Sequence, residues 1–282
     1  MQQASTKPVM GAGPGQSSFG PAFLFLNRKQ RRALGAFYSY ARAVDDIADN
    51  QGLDRETRRG ALAAWRAEIE DIFCGRQTSA AQELREAVAA FPLLKKEHFT
   101  LLLDGMGADL DKAEYATLAE LEDYMYMVAS SVGLACLAIF GYEDAQAGQY
   151  ARNLGYAVQL TNIIRDAAAD AQAGRFYIPA EDLRRFGCGR AELLAAKASP
   201  GFTALMEFEA GRAEGYYAKA QALINPAGKN KLLCALAMAG LYKALLRKTA
   251  ASGFKSAGGR IRLGRLETAA ALYGAWRDYA QI

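Results

Sequence analysis

Two pairs of aspartates carry most of the chemistry this chain could do. Asp45 and Asp49 are four residues apart, and so are Asp166 and Asp170. On an α-helix that spacing stacks two carboxylates on one face, one turn apart. Both stretches are otherwise apolar (Ala41, Val44 and Ala48 around the first; Leu160, Ile163 and Ile164 before the second), so these faces are expected to point inward. Like charges on an inward face are costly unless something positive sits between them. A hard divalent cation answers that need, and the usual co-ligand of such a cation is a phosphate.

Each pair extends into a longer polar stripe. Tyr38, Arg42, Asp45 and Asp49 follow spacings of four, three and four. Gln159, Asn162, Asp166 and Asp170 follow three, four and four, with Arg165 beside them. Arg42 could simply pair with Asp45 or Asp46, which would make the first stripe an exposed, salt-bridged face worth a fraction of a kcal/mol. Asp46 points about 100° away from Asp45 and reads as a supporting or surface residue. The second stripe runs through a helix that is apolar on most sides, and such helices are usually buried. Carboxylates facing one another there would repel strongly, and magnesium relieves this by taking one or two of them and completing its shell with water and phosphate oxygens. A diphosphate neutralised in this way is a good leaving group. An allylic cation left behind would need apolar walls; Phe19, Phe23, Tyr38, Tyr124, Val128, Ala129, Gly133 and Tyr242 are candidates, though each is equally at home in an ordinary core.

The elements that must position these residues read as helices throughout. The chain has 282 residues, 51 % apolar and 23 % charged, ordinary for a globular protein. Stretches rich in Ala, Leu, Glu and Arg predict helices at 28–50, 54–74, 78–91, 93–106, 117–141, 144–170, 201–224, 229–250 and 264–280. Asn50-Gln51-Gly52, Gly105-Met106-Gly107 and Asn225-Pro226-Ala227-Gly228 read as turns. Residues 1–14 read as a flexible segment, and 15–282 as one all-α domain. No apolar run approaches the roughly 18–20 residues of a spanning helix, and the N-terminus has no secretory core, so a cytoplasmic location is expected. The net charge of +4 is too mild for nucleic acid, but suits an anionic substrate or peripheral contact with an anionic membrane. The cysteines (Cys74, Cys136, Cys188, Cys234) lack zinc or redox spacing, and His98 is the only histidine, which argues against zinc and histidine-base chemistry.

Taken together, these segments resemble the squalene/phytoene synthase family, which condenses prenyl diphosphates head to head. The resemblance rests on Ser17-Ser18-Phe19, on Tyr38-x-x-x-Arg42-x-x-Asp45-Asp46-x-x-Asp49, and on Tyr124 to Gly133. It continues through Gln159-Leu160-Thr161-Asn162-Ile163-Ile164-Arg165-Asp166-x-x-x-Asp170 and Gly174-Arg175-Phe176-Tyr177-Ile178-Pro179. It implies the all-α isoprenoid synthase fold with a central cavity. It implies that Asp45, Asp49, Asn162, Asp166 and Asp170 bind Mg²⁺, with Asp45, Asp49, Asp166, Asp170 and Tyr177 catalytic. It further implies that Ser17, Ser18, Phe19, Tyr38, Arg42, Tyr124, Gln159, Arg165, Arg175 and Tyr242 contact substrate; Arg175 pairs with phosphate or with an acid.

The compact form and the phrase Phe23-Leu24-Phe25-Leu26 look most like bacterial presqualene diphosphate synthases of hopanoid pathways. That implies farnesyl diphosphate, or a longer prenyl diphosphate, as substrate, and other isoprenoid-pathway enzymes as partners. Phytoene or dehydrosqualene synthesis is the alternative; a non-catalytic assembly factor of the same fold would have no need of both intact motifs. NADPH is not expected for the first step, and no Gly-rich nucleotide fingerprint occurs. One departure stands out: Ala169 replaces the glutamate the family usually carries before its last aspartate. The basic residues Lys255, Arg260, Arg262 and Arg265 could form a lid near the diphosphate, a membrane-surface patch or a solvated face, of which the solvated face is the preferred reading.

Overall fold

The computed structural model describes residues 20–77, 81–195, 199–254 and 260–282, and in these the chain is helical from end to end. Ser17, Ser18, Phe19 and Lys255 lie outside the described residues. A 3-10 segment, Gly20–Phe25, leads into α1 (Arg28–Asp49), α2 (Arg55–Phe73), α3 (Gln82–Ala90) and α4 (Lys96–Asp111). Next come α5 (Leu118–Met125), a π-helical turn (Tyr126–Ser130) and α6 (Ser131–Phe140) in one continuous rod. After α7 (Ala147–Gln172), α8 (Ala180–Arg185) and α9 (Arg190–Ala195) lie α10 (Pro200–Ala222), a 3-10 segment (Pro226–Leu232), α11 (Leu233–Ala251) and α12 (Arg265–Gln281). The only extended pairing among the described residues is a single bridge between Glu114 and Phe176.

Local chemistry accounts for the main boundaries. Asn27 and Gln30 exchange side-chain and backbone hydrogen bonds in a capping box that starts α1. Asp54, Thr117 and Ser199 accept backbone N–H groups at the starts of α2, α5 and α10, and Pro200 occupies the first turn of α10. Gly141, at φ +69°, ends α6 in the left-handed conformation that glycine tolerates best.

Several expectations fail instructively. Gly105-Met106-Gly107 is no turn: α4 runs through it to Asp111. A Cβ on Gly105 would lie 2.4 Å from the Val128 side chain, so the glycine admits the π turn against α4 instead of breaking the helix. The stretch expected as one helix at 117–141 is interrupted by that π turn, and α8 and α9 were not foreseen. The same rod, Leu118–Phe140, is long and apolar enough to cross a membrane by length and composition, contrary to the reading of the sequence; 61 % of its apolar window is buried inside the protein, as in a core helix.

The helices enclose a cavity with about 1000 Å³ of empty space, its open mouth included. Leu34, Phe37, Tyr38 and Ala41 face it from α1, and Tyr150, Leu154, Val158, Gln159 and Asn162 face it from α7. On both helices the cavity-lining stretch precedes the aspartates. The lining on α7 runs from Tyr150 to Asn162, twelve rises of 1.5 Å or about 18 Å. Close approach of α7 to the π turn needs Gly155, where a Cβ would meet the Ser130 backbone at 2.8 Å. Phe140, Cys136 and Leu137 line the cavity from α6, and Ala235, Met238 and Tyr242 from α11.

Candidate active site

The carboxylates gather just beyond the polar end of this cavity, balanced by four arginines. Arg42 donates to Asp45 at 3.0 Å and to Asp46 at 2.7 Å. Arg175 donates to Asp49 at 2.5 Å and to the Ala48 carbonyl at 3.2 Å. Arg165, whose side chain is 1 % exposed, forms a forked pair with Asp166 at 2.8 and 2.5 Å. Arg260 reaches the same carboxylate at 2.9 Å. Arg260 therefore corrects the reading of the basic segment as a solvated face: its head, though half exposed, closes on the second acidic motif. Asp46 is half exposed and pairs only locally with Arg42, and Ala169 is exposed.

The aspartates face the mouth, not a dry core, and their charges feel one another across it. Burial, then the Asp49 charge, pushes Asp45 up to about 6 against the pull of Arg42, although 40 % of its side chain still meets solvent. Burial, then Asp166, pushes Asp170 up to about 7, with Asp49 of the opposite motif adding to the effect. Burial acts upward on Asp166 too, but the hydrogen bond and charge of Arg165, with Arg260, outweigh it and hold that carboxyl below its usual range.

A fifth carboxylate, Asp109 of α4, completes the group. It accepts hydrogen bonds from Tyr124 at 2.7 Å and from Tyr177 at 3.2 Å. Burial raises it to about 6 even so. Tyr124, proposed for the cavity wall, belongs instead to this network: its ring stacks on Tyr177 at 5.4 Å and lies 5.3 Å from Tyr115. Burial, then Asp109, raises the Tyr177 hydroxyl well above its ordinary value, so it remains a donor at neutral pH. Phe176 N donates to Ala113 O and Ala180 N to Tyr115 O, clamping the loop after α7 onto the loop after α4. That clamp is what sets Arg175 and Tyr177 beside the acids. The reading of the sequence missed Asp109 because it ended this helix at 106 and took Gly105-Met106-Gly107 as a turn; a carboxylate on the same helical face as Leu102, Gly105 and Met106 was the available signal.

Tyr38, Gln159, Asn162 and Tyr242 line the cavity directly below. Asn162 hydrogen-bonds the Tyr242 hydroxyl and approaches Gln159 at 3.5 Å. Phe23, Val128, Ala129 and Gly133 line the walls, as expected from their types. Among the described residues, no three His, Cys, Asp or Glu side chains close up into an ion-binding group on their own. That is compatible with magnesium, which takes one or two carboxylates and leaves its other positions to water and substrate oxygens. The two raised carboxylates, Asp45 and Asp170, show unneutralised negative charge on both sides of the mouth.

An all-helical shell, an acidic and arginine-rich mouth and a deep apolar cavity suit a substrate with a charged head and a long apolar tail. The chain belongs to the squalene/phytoene synthase family, whose model matches residues 14–267. It is 35 % identical over 266 residues to a presqualene diphosphate synthase of Zymomonas mobilis, covering 94 % of this chain and 91 % of the relative. It is 33 % identical to one of Rhodopseudomonas palustris, covering 91 % of each. A dehydrosqualene synthase solved in complex with ligand superimposes with a TM-score of 0.83 at 26 % identity, over 95 % of this chain and 93 % of that one. A squalene synthase of Alicyclobacillus acidocaldarius superimposes with a TM-score of 0.74 at 28 % identity, over 86 % and 90 %. The chain is a prenyltransferase of the head-to-head type.

Proposed function

We propose that this enzyme condenses two farnesyl diphosphates into presqualene diphosphate, with magnesium at the acidic mouth. The observation that carries the reading is the stacking of a charge-rich mouth directly on an apolar cavity. Relatives named presqualene diphosphate synthase, with coverage near the full chain, support the choice of product. Asp45, Asp49, Asn162, Asp166 and Asp170 would hold the metal, which supplies positive charge that stabilises the departing diphosphate. Arg42, Arg165, Arg175 and Arg260, each now paired with a carboxylate of the mouth, would meet diphosphate oxygens once the carboxylates turn to the metal.

In the reaction the C1–O bond of one substrate breaks and diphosphate leaves with the electron pair. The C2–C3 alkene of the second substrate attacks the allylic cation, and a proton departs as the cyclopropane closes. The residues below the mouth shield that cation: Tyr38 and Tyr242 offer aromatic faces, and the walls of Phe23, Phe37, Val128 and Val158 exclude water. Gln159 and Asn162 are the polar groups at the boundary between the charged and apolar halves. Tyr177, held by Asp109, presents a hydroxyl near Asp170.

A second reading, dehydrosqualene or phytoene synthesis, is favoured by the superposition on a dehydrosqualene synthase. Product analysis separates the two. Purified protein with Mg²⁺ and farnesyl diphosphate should yield presqualene diphosphate by mass spectrometry, with or without NADPH. A C30 hydrocarbon formed without NADPH would establish the second reading. No product from either farnesyl or geranylgeranyl diphosphate would sink both.

A further inference from the structure

Six large apolar side chains are exposed among the described residues, and five of them belong to just two elements. Leu24 and Phe25 lie in the 3-10 segment at 73 % and 39 % exposure; Leu266, Tyr273 and Trp276 lie on α12 at 88 %, 65 % and 53 %. Single exposed apolar residues need no explanation, but a cluster does. Phe25 and Trp276 line one shallow surface recess with Leu272 and Ala275. The Tyr273 and Trp276 rings are 6.0 Å apart. Leu266 and Tyr273 are seven residues apart on the same helical face, and the exposed Ala269, Ala270 and Ala280 fall on that face as well. The exposed residues of α12 between Glu267 and Arg277 are thus all apolar, and among the described residues no helix is laid over them.

The charges around this surface are mostly basic, and the acid beside Leu266, Glu267, is paired with Lys248 at 2.7 Å. From Gly20 to Arg32 the chain has Arg28, Lys29, Arg31 and Arg32 and no acid. Glu86 pairs with Arg32 at 2.6 Å, which leaves Arg28 and Lys29 as exposed cations beside Leu24 and Phe25. Arg277, next to Trp276, is 65 % exposed and meets Asp278 only at 3.9 Å. Exposed Trp, Tyr, Phe and Leu flanked by Lys and Arg is the composition of a face that sits at the boundary of an anionic lipid leaflet. A second copy of the chain fits less well, because a two-fold contact through this face would bring the same mostly basic surface to both sides of the seam.

We infer that the surface formed by the 3-10 segment Gly20–Phe25 and the outer face of α12 docks this enzyme on an anionic lipid bilayer. The placement also has a use. Phe23 lines the reaction cavity while its neighbours Leu24 and Phe25 face outward. On α11, Ala235, Met238 and Tyr242 line the cavity while Leu233 and Ala237 line the outer recess. One layer of protein therefore separates the apolar cavity from the docking surface, so a docked enzyme holds its apolar end nearest the lipid.

The chain contains its own reporter. Of its two tryptophans, Trp65 is fully buried and Trp276 is half exposed. Adding vesicles of phosphatidylglycerol and phosphatidylcholine to the full chain should shift the emission to the blue and permit quenching by brominated acyl chains. Pure phosphatidylcholine should do so more weakly, and added salt should reverse part of the binding. The double variant Leu24→Ser/Tyr273→Ser should lower vesicle affinity by about tenfold or more in flotation, with an unchanged melting curve, because both residues are already exposed. Arg28→Gln/Lys29→Gln should remove the preference for anionic vesicles. Emission unchanged by anionic vesicles, or equal flotation of the double variant and its parent, would overturn the inference. So would a dimer in sedimentation that Leu24→Ser/Tyr273→Ser converts to monomer while flotation stays the same. None of these readouts depends on turnover, so they stand or fall apart from the proposed substrate.

Discussion

Two of the clusters in which carboxylates meet arginine differ in solvent access, and that difference separates their roles. At the cavity mouth, Asp45, Asp49, Asp109, Asp166 and Asp170 face Arg42, Arg165, Arg175 and Arg260, with several of these side chains 40 % or more exposed. Between α8 and α10, Arg212 donates from one nitrogen to Asp182 at 2.9 Å and to Glu209 at 2.7 Å, and the three side chains are 14 %, 6 % and 0 % exposed. Burial raises Glu209 to about 7 against the pull of Arg212. In the sealed triad two acids share one arginine, and burial removes the excess charge by favouring a proton on Glu209. At the mouth the acids in excess of arginine stand open to solvent, where a cation can reach them. The same residue types hold structure together in one place and remain available for chemistry in the other.

The largest effect should come from the mouth. Asp45→Ala and Asp170→Ala should each lower turnover by at least about 100-fold while leaving the melting temperature within a few degrees. Rates equal to the parent enzyme would mean that the metal binds elsewhere. Asp166→Ala should lose activity and some stability together, because it strips the partner from the buried Arg165.

The sealed triad should show the reverse pattern. Arg212→Met leaves two buried carboxylates facing each other and should cost about 3–5 kcal/mol, a fall of roughly 10 °C in Tm, while the protein that remains folded still turns over. The loss should shrink as pH falls below 7, since Glu209 then takes up a proton. A variant that is stable but inactive would erase the distinction between the clusters.

The pH dependence of the mouth follows from its raised carboxyls. With Asp45 and Asp109 near 6 and Asp170 near 7, the folded, ligand-free protein binds more protons than the unfolded chain between about pH 4 and 7. Their contribution to stability is full below that window and is lost as pH rises through it. Asp170→Asn should therefore melt at the parent temperature near pH 5 and above it at pH 8 without metal. Identical melting at both values would show that the mouth carries no excess repulsion.

Two smaller effects sharpen the picture. Tyr177→Phe removes a donor from Asp109, a loss of about 1 kcal/mol, and steady-state kinetics should show a severalfold drop in turnover with little change in melting. Arg260→Ala removes a half-exposed partner of Asp166 and should alter stability by about 0–1 kcal/mol. It should raise KM a few-fold more than it lowers kcat; an effect on kcat alone would take Arg260 out of substrate binding.

Much of this protein is a local matter, and local matters are legible in sequence. The stripes on α1 and α7 follow from helical periodicity, which puts Tyr38, Arg42, Asp45 and Asp49 on one face whatever surrounds them. The caps at Asn27, Asp54 and Ser199 depend on bonds within three residues. Family motifs, too, are written in short runs. What the tertiary structure alone decided is which distant segments meet. Asp109 enters the site only because Gly105 lets α4 continue against the π turn. Arg175 and Tyr177 reach the acids through backbone bonds to the loop after α4, and Arg260 closes on Asp166 from 94 residues away. Spacing determines what a helix face carries; the packing of one backbone against another determines what that face confronts.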